Sequence, residues 1–203
     1  MPSLIQQHRK HVVETRLKKF YSVMNQAIGN INAEYGGFEN WYPNYHVDVY
    51  QIFEDGKWQI IARPEMVDAA FEKYFAKYLK ISSAKKLETG NKLYYLPDGS
   101  AFRMSPATNQ DFVYFIKDAE NCMNKENYMG SCAFYFNFRP GFNDNKNKFK
   151  YGKNKGLEPY IYDWDGQKDT LYNGCSNDGI YCAKLIQYNG WKIPDDYPKK
   201  YKF

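Results

Sequence analysis

A chain of 203 residues, 43% of them hydrophobic, holds enough apolar material for one domain with a real core, which excludes an intrinsically disordered protein. The formal net charge of +5 comes from basic residues interleaved with acidic ones and not from a basic tail, so no nucleic acid is expected as a partner. No apolar run approaches a membrane span and no signal peptide is visible, so the sequence as it stands reads as a soluble piece.

Residues 2–35 read as one long helix. Val13, Leu17, Phe20, Met24, Ala27, Ile28 and Ile31 follow the spacing of three and four that one helix face requires, and Glu14, Arg16, Lys18, Lys19, Asn25 and Gln26 fill the other side. Gly36-Gly37 then stops it. Such a helix is about 50 Å long, more than a small domain needs for its own core, so part of it is expected to project. Leu4, Ile5 and Val12, beside His8, Arg9, Lys10 and His11, have no obvious partner and are assigned to the projecting part. Met1 stands directly before Pro2-Ser3-Leu4-Ile5, apolar and without a capping residue ahead of it, so the start reads as an artificial one. The chain thus divides into an N-terminal helix, residues 1–35, and a globular head, residues 36–203.

The head opens with an aromatic, loop-like stretch, 38–61, in which Val47–Phe53 and Trp58–Ile61 form a possible hairpin through Glu54-Asp55-Gly56-Lys57. Pro64 suits a helix N-terminus, and Met66, Val67, Ala70, Phe71, Tyr74, Phe75, Tyr78 and Leu79 give an amphipathic helix ending near Ile81, expected to cover the sheet edge or the first helix. Lys92–Leu96 and Ala101–Met104 flank Pro97-Asp98-Gly99-Ser100, a strong hairpin signal. Strands are expected at Asp111–Lys117 and Ala133–Arg139, where Phe134, Phe136 and Phe138 alternate with Tyr135 and Asn137. Pro140–Gly156 turns to Asn, Lys and Gly and reads as a long, mobile loop. Cys182–Gln187 is expected to be a last strand, Asn189-Gly190 a tight turn, and Trp191 an anchor whose burial fixes the tail.

The four cysteines form two local pairs, Cys122 with Cys132 and Cys175 with Cys182, in loop-like surroundings. That pattern points to disulfides and an oxidising, extracytoplasmic compartment, although crossed connectivities remain open. Neither pair has zinc-site spacing. Asp163-Trp164-Asp165-Gly166 with Asp169 offers hard oxygen ligands for calcium but lacks the spaced set of an EF-hand, so a polar turn is the preferred reading and no cofactor is expected. His8 and His11 share a helix face without a metalloprotease glutamate, and His46 stands alone. With no phosphate loop, nucleophile elbow or Cys/His pair in the sequence, an enzyme is not the expectation.

Two stretches resemble a known family. Pro2-Ser3-Leu4-Ile5, the basic run to Arg16, and Leu17-Lys18-Lys19-Phe20-Tyr21-Ser22-Val23-Met24-Asn25-Gln26-Ala27-Ile28 are similar to the region just after the membrane segment of type IV pilin-like proteins, the pilins and type II secretion pseudopilins. Gly174-Cys175-Ser176-Asn177-Asp178-Gly179-Ile180-Tyr181-Cys182-Ala183-Lys184-Leu185-Ile186, with Asn189-Gly190-Trp191-Lys192-Ile193 and Asp195-Asp196-Tyr197-Pro198, resembles the closing segment of one group of prepilin-type secretion proteins. The hairpin at Pro97 also resembles that family's first sheet hairpin. Where many relatives carry an Asp-rich segment after the central strand, this chain has Phe138-Arg139-Pro140-Gly141, which puts any calcium role in doubt.

The resemblance implies an α+β fold with a long N-terminal helix packed on an antiparallel sheet, a helical insertion and a disulfide-pinned C-terminal region. It further implies a structural subunit of a pilus or pseudopilus, with other pilin-like subunits, the secretion or pilus assembly machinery and a prepilin peptidase as partners. A leader and a hydrophobic span of about twenty residues would precede Pro2 and hold the protein in the membrane. The rival expectations are a secreted or surface carbohydrate- or protein-binding module using exposed Tyr and Trp, and a secreted hydrolase.

Overall fold

The apolar stripe builds helix α1, Leu4–Tyr35, in a computed structural model that describes residues 4–47, 50–54, 57–61, 63–140, 151 and 154–200. Val13, Leu17, Phe20, Met24, Ala27, Ile28 and Ile31 are each at most 3% exposed. The helix ends because Gly36 and Gly37 adopt positive φ, 82° and 114°, which lets both N–H groups turn back onto Asn32 O.

The stretch expected to be loop-like after Gly37 is instead a second helix, α2, Phe38–Tyr45. Its buried residues are Trp41, Tyr42 and, four and three positions on from them, Tyr45; they face the core, and Trp41 Nε1 donates to Asn32 Oδ1 at 2.8 Å. The hairpin follows as a separate two-stranded ribbon, β1 Tyr50–Glu54 and β2 Lys57–Ile61, with Glu54 paired to Lys57. Val47 precedes it, and the turn residues Asp55 and Gly56 lie outside the described residues. Helix α3, Pro64–Phe75, continues into a 3₁₀ turn, Ala76–Tyr78, and buries Val67, Phe71, Tyr74 and Phe75. It packs on the sheet face beside α1, not on the sheet edge; Met66, assigned to its apolar side, is exposed.

Six strands form one antiparallel meander in chain order: β3 Ser83–Lys86, β4 Lys92–Tyr95, β5 Ala101–Ser105, β6 Thr108–Phe115, β7 Ala133–Phe138 and β8 Leu157–Pro159. Strand β6 starts and stops earlier than the expected Asp111–Lys117, and β3 and β8 are additions to the expected set. Alternation decides the faces. Phe102, Phe112, Tyr114, Phe134, Phe136 and Phe138 turn to α1 and α3, where Phe20 stacks on the Tyr114 ring at 4.2 Å. Leu93, Ala101, Val113, Phe115 and Ala133 turn the other way and form a second, smaller core with Ala119 and the Cys122–Cys132 disulfide.

A short helix, α4 (Ala119–Met123), capped by the Asp118 side chain, carries Cys122. Most of the expected loop at 140–156 lies outside the described residues. After β8 come two helices, α5 Lys168–Asn177 and α6 Cys182–Tyr188, joined by the Cys175–Cys182 disulfide. Helix α6 replaces the expected last strand. Cys182, Ala183, Leu185 and Ile186 are all fully buried, a grouping that one helix face permits and that an alternating strand does not. The architecture is therefore α+β, a long N-terminal helix on an antiparallel sheet, with helices α2 and α3 inserted between them and two disulfides in the rest.

Candidate assembly surface

Helix α1 changes environment along its length. Leu4 and Ile5 are 82% and 66% exposed, and His8, Arg9 and His11 stand in solvent. Full burial begins at Val13. Val12, assigned to the projecting part, is a correction: it is half-buried and packs against the main core, because the helix has already met the head at that turn. The exposed portion from Leu4 to His11 is thus about 12 Å long, shorter than a free stalk. No helix among the described residues is long and apolar enough to cross a membrane.

The C-terminal tail shortens that free portion. Glu14, expected on the solvent side of α1, is buried and accepts from Ile193 N at 2.9 Å and from Lys192 Nζ at 3.0 Å. One turn earlier, Lys10 meets Asp195 at 2.9 Å. Two turns later, Trp191 lies against the Tyr21 ring with centroids 4.9 Å apart; it is half-buried, an anchor by stacking and not by full burial. Beyond Trp191 the tail bridges the two disulfide segments. Tyr197 Oη donates to Gly130 O at 2.6 Å, two residues from Cys132, and Lys199 Nζ donates to Ser176 O and Asn177 O, just past Cys175. Gly130 itself faces Cys182 so closely that a Cβ there would overlap Sγ.

Four more polar residues of α1, Arg16, Lys19, Tyr21 and Asn25, are also engaged. Arg16 donates to Asp98 O at 2.8 Å and to Ile116 O, and Lys19 Nζ meets Asp98 Oδ2 at 2.9 Å, so the turn between β4 and β5 is clasped to the helix. Burial pushes the Asp98 carboxyl up, but hydrogen bonds from Ser100 and Lys19 outweigh it and hold the group down at about 2. Asn25 Nδ2 donates to Leu157 O at 3.0 Å, and Tyr21 Oη to Glu158 Oε1 at 3.1 Å, which ties β8 to the helix. Burial, reinforced by the Glu158 charge, raises the Tyr21 hydroxyl to about 12. On α3, Asp68 is buried and its carboxyl is raised by that burial, although Lys92 N–H and the Tyr94 hydroxyl both donate to it. The hydrophobic stripe announced where α1 would be buried; nothing in the sequence marked which of its polar residues would find partners on the head.

Both cysteine pairs are bonded as the local spacing suggested, Cys122 with Cys132 and Cys175 with Cys182. Of the acidic residues weighed as calcium ligands, Asp165 accepts from Gln167 N at 2.8 Å and from Thr170 Oγ1 at 2.7 Å, which braces the turn leading into α5; Asp163 sits in a left-handed turn and Asp169 in the first turn of α5. Among the described residues no three His, Cys, Asp or Glu side chains come together to hold a metal. His8 and His11 are exposed, while the His46 ring stacks on Tyr42 at 5.8 Å.

What the arrangement supplies chemically is a helix packed along a sheet, with one apolar and basic end. Along α1 and the tail run shallow grooves, one of about 480 Å³ lying between Gln6, Arg9 and Lys10 on the helix and Tyr197, Lys199 and Lys200 on the tail. Neither curated proteins nor solved structures give a match. A family profile does match, over residues 3–201, and the chain therefore belongs to DUF6613, a family of unknown function.

Proposed function

We propose that this protein is a structural subunit of a pilin-like filament, a pilus or a type II secretion pseudopilus, and not an enzyme. One observation carries the reading: a single helix is buried on its own sheet from Val13 to Ile31 while the same helix presents Leu4 and Ile5 to solvent at its start. A domain that used α1 only for its own core gains nothing from branched apolar residues on the exposed end, since each such side chain is worth about 1.5 to 3 kcal/mol when buried. In a filament those residues are covered by neighbouring subunits. The sequence resemblance at both ends of the chain supports the same reading, and so does the order helix, insertion, meander and disulfide-bonded C-terminal region.

In this account the full-length protein is held in the membrane by a hydrophobic span ahead of Pro2, cut by a prepilin peptidase, and handed to the assembly machinery, with the head outside the cytoplasm. Two disulfides suit an oxidising compartment. The test is to sequence the gene immediately upstream of Pro2 and to determine the mature N-terminus of the cellular protein by mass spectrometry. A short leader cut before a hydrophobic span is expected; a polar domain or linker in that place contradicts the proposal.

A further inference from the structure

The groove at the exposed end of α1 has an unbalanced charge. Arg9, Lys10, Lys199 and Lys200 line it with a single carboxylate, Asp195, already engaged by Lys10 at 2.9 Å. Lys199 is turned to the carbonyls of Ser176 and Asn177, whereas Arg9 and Lys200 have no hydrogen-bond or ion-pair partner among the described residues. Leu4 and Ile5 are exposed about one turn from Arg9, along the same helix. Unneutralised cations beside protruding apolar side chains fit a partner with an anionic skin and an apolar interior. A nucleic acid or a soluble polyphosphate satisfies the cations and leaves Leu4 and Ile5 in water.

We propose that this end of the folded chain docks on an anionic phospholipid surface. Leu4 and Ile5 enter the boundary between headgroups and acyl chains, and Arg9, Lys10, Lys199 and Lys200 meet the headgroup phosphates. The inference rests on the assembly reading only in bringing the start of α1 to a membrane; the lipid contact itself belongs to the folded chain and is measured without filaments. It gives the tail a second role, since the strap that closes on α1 through Glu14 and Ile193 also delivers Lys199 and Lys200 to the groove.

The experiment is co-sedimentation of the chain with vesicles of phosphatidylcholine alone and of phosphatidylcholine mixed with phosphatidylglycerol, with inorganic polyphosphate as a soluble competitor. Binding to the mixed vesicles only, weakened by salt, is expected. Arg9→Gln with Lys200→Gln should lower partitioning by about fivefold for each cation removed. Leu4→Ser with Ile5→Ser should lower it too, while leaving polyphosphate binding unchanged. Arg9→Lys, which keeps the charge, should bind like the parent, and matching thermal unfolding of all variants verifies their fold. Equal binding to both vesicle types, binding to neither, or full binding by the Leu4/Ile5 variant overturns the proposal. Incorporation of the full-length protein into filaments is a separate readout: vesicle binding without incorporation supports the lipid contact and overturns the assembly reading, and incorporation without vesicle binding does the reverse.

Discussion

Glu14 Oε1 accepts a hydrogen bond from Ile193 N–H at 2.9 Å across 179 positions of sequence, so the first buried turn of α1 and the C-terminal tail are fixed to each other by one carboxylate. Its second oxygen takes Lys192 Nζ, but that lysine is 67% exposed and the ion pair is worth little in water. The backbone bond is the larger contribution. Glu14→Ala should therefore cost about 1.5 to 3 kcal/mol in denaturant unfolding, the range for a hydrogen bond to a charged group, whereas Glu14→Gln, which keeps an acceptor for Ile193, should cost much less. Equal losses in the two variants contradict this division.

Asp98 ties the β4–β5 turn to Lys19, and the acid limb of the stability curve should show it. Its folded-state carboxyl lies at about 2, below the usual aspartate value of about 4, so its contribution is fully present above the unfolded value and is lost as pH falls through about 2. Unfolding free energy measured from pH 5 down to pH 2 should decline for the parent chain and decline less steeply for Asp98→Asn. An unchanged slope in the variant removes Asp98 from the acid response.

Both cystines close short loops, with sequence separations of 10 and 7. Each is expected to contribute about 2.5 kcal/mol in the chain-entropy description. Thiol titration under denaturing, non-reducing conditions should find no free thiol, and Cys122→Ser with Cys132→Ser should lower stability by about that amount. Four titratable thiols in protein isolated from its own cells would remove the compartment argument.

Gly130 has φ 75° and faces Cys182 Sγ with no room for a Cβ. Gly130→Ala is strained by its backbone and pushes the two disulfide segments apart, so it should cost about 1 to 3 kcal/mol, the range for a side chain held in the left-handed region, and loosen the tail. Faster hydrogen exchange at Tyr197 and Lys199 is the signature to measure; protection equal to the parent's counts against the tail as a bridge.

Elements with a strong period were legible in the sequence. The seven-residue stripe of α1, the Pro64 start of α3, the Pro97 turn and the alternation in β7 all have one physical reading each. Others lacked that signal. Phe38, Trp41, Tyr42 and Tyr45 do have helical spacing, but they sit in an aromatic-rich stretch broken by Pro43, which reads as loop or strand. Strand β3, Ser83–Lys86, is exposed at every position and carries no alternation, and β8 is three residues long and ends in Pro159. Helix α6 is so fully buried that its apolar run fits either type until the packing is seen. At the candidate site, Leu4 and Ile5 stood out by having no partner in the stripe; the engagement of Glu14, Arg16 and Lys19 depends on where the tail and a distant turn arrive in space, which no local pattern encodes.

If α1 has two zones with different partners, one paired measurement separates them: denaturant unfolding of the chain, alongside recovery of the full-length protein in sheared filaments, for two sets of alanine variants. Phe20→Ala and Met24→Ala, each of which removes a fully buried side chain, should lower stability by about 2 to 5 kcal/mol. Leu4→Ala and Ile5→Ala should leave stability within about 0.5 kcal/mol of the parent and still deplete the filament fraction. If the two sets destabilise the chain equally, or if the Leu4 and Ile5 variants are recovered in filaments like the parent, the division of α1 into a core zone and an assembly zone is wrong.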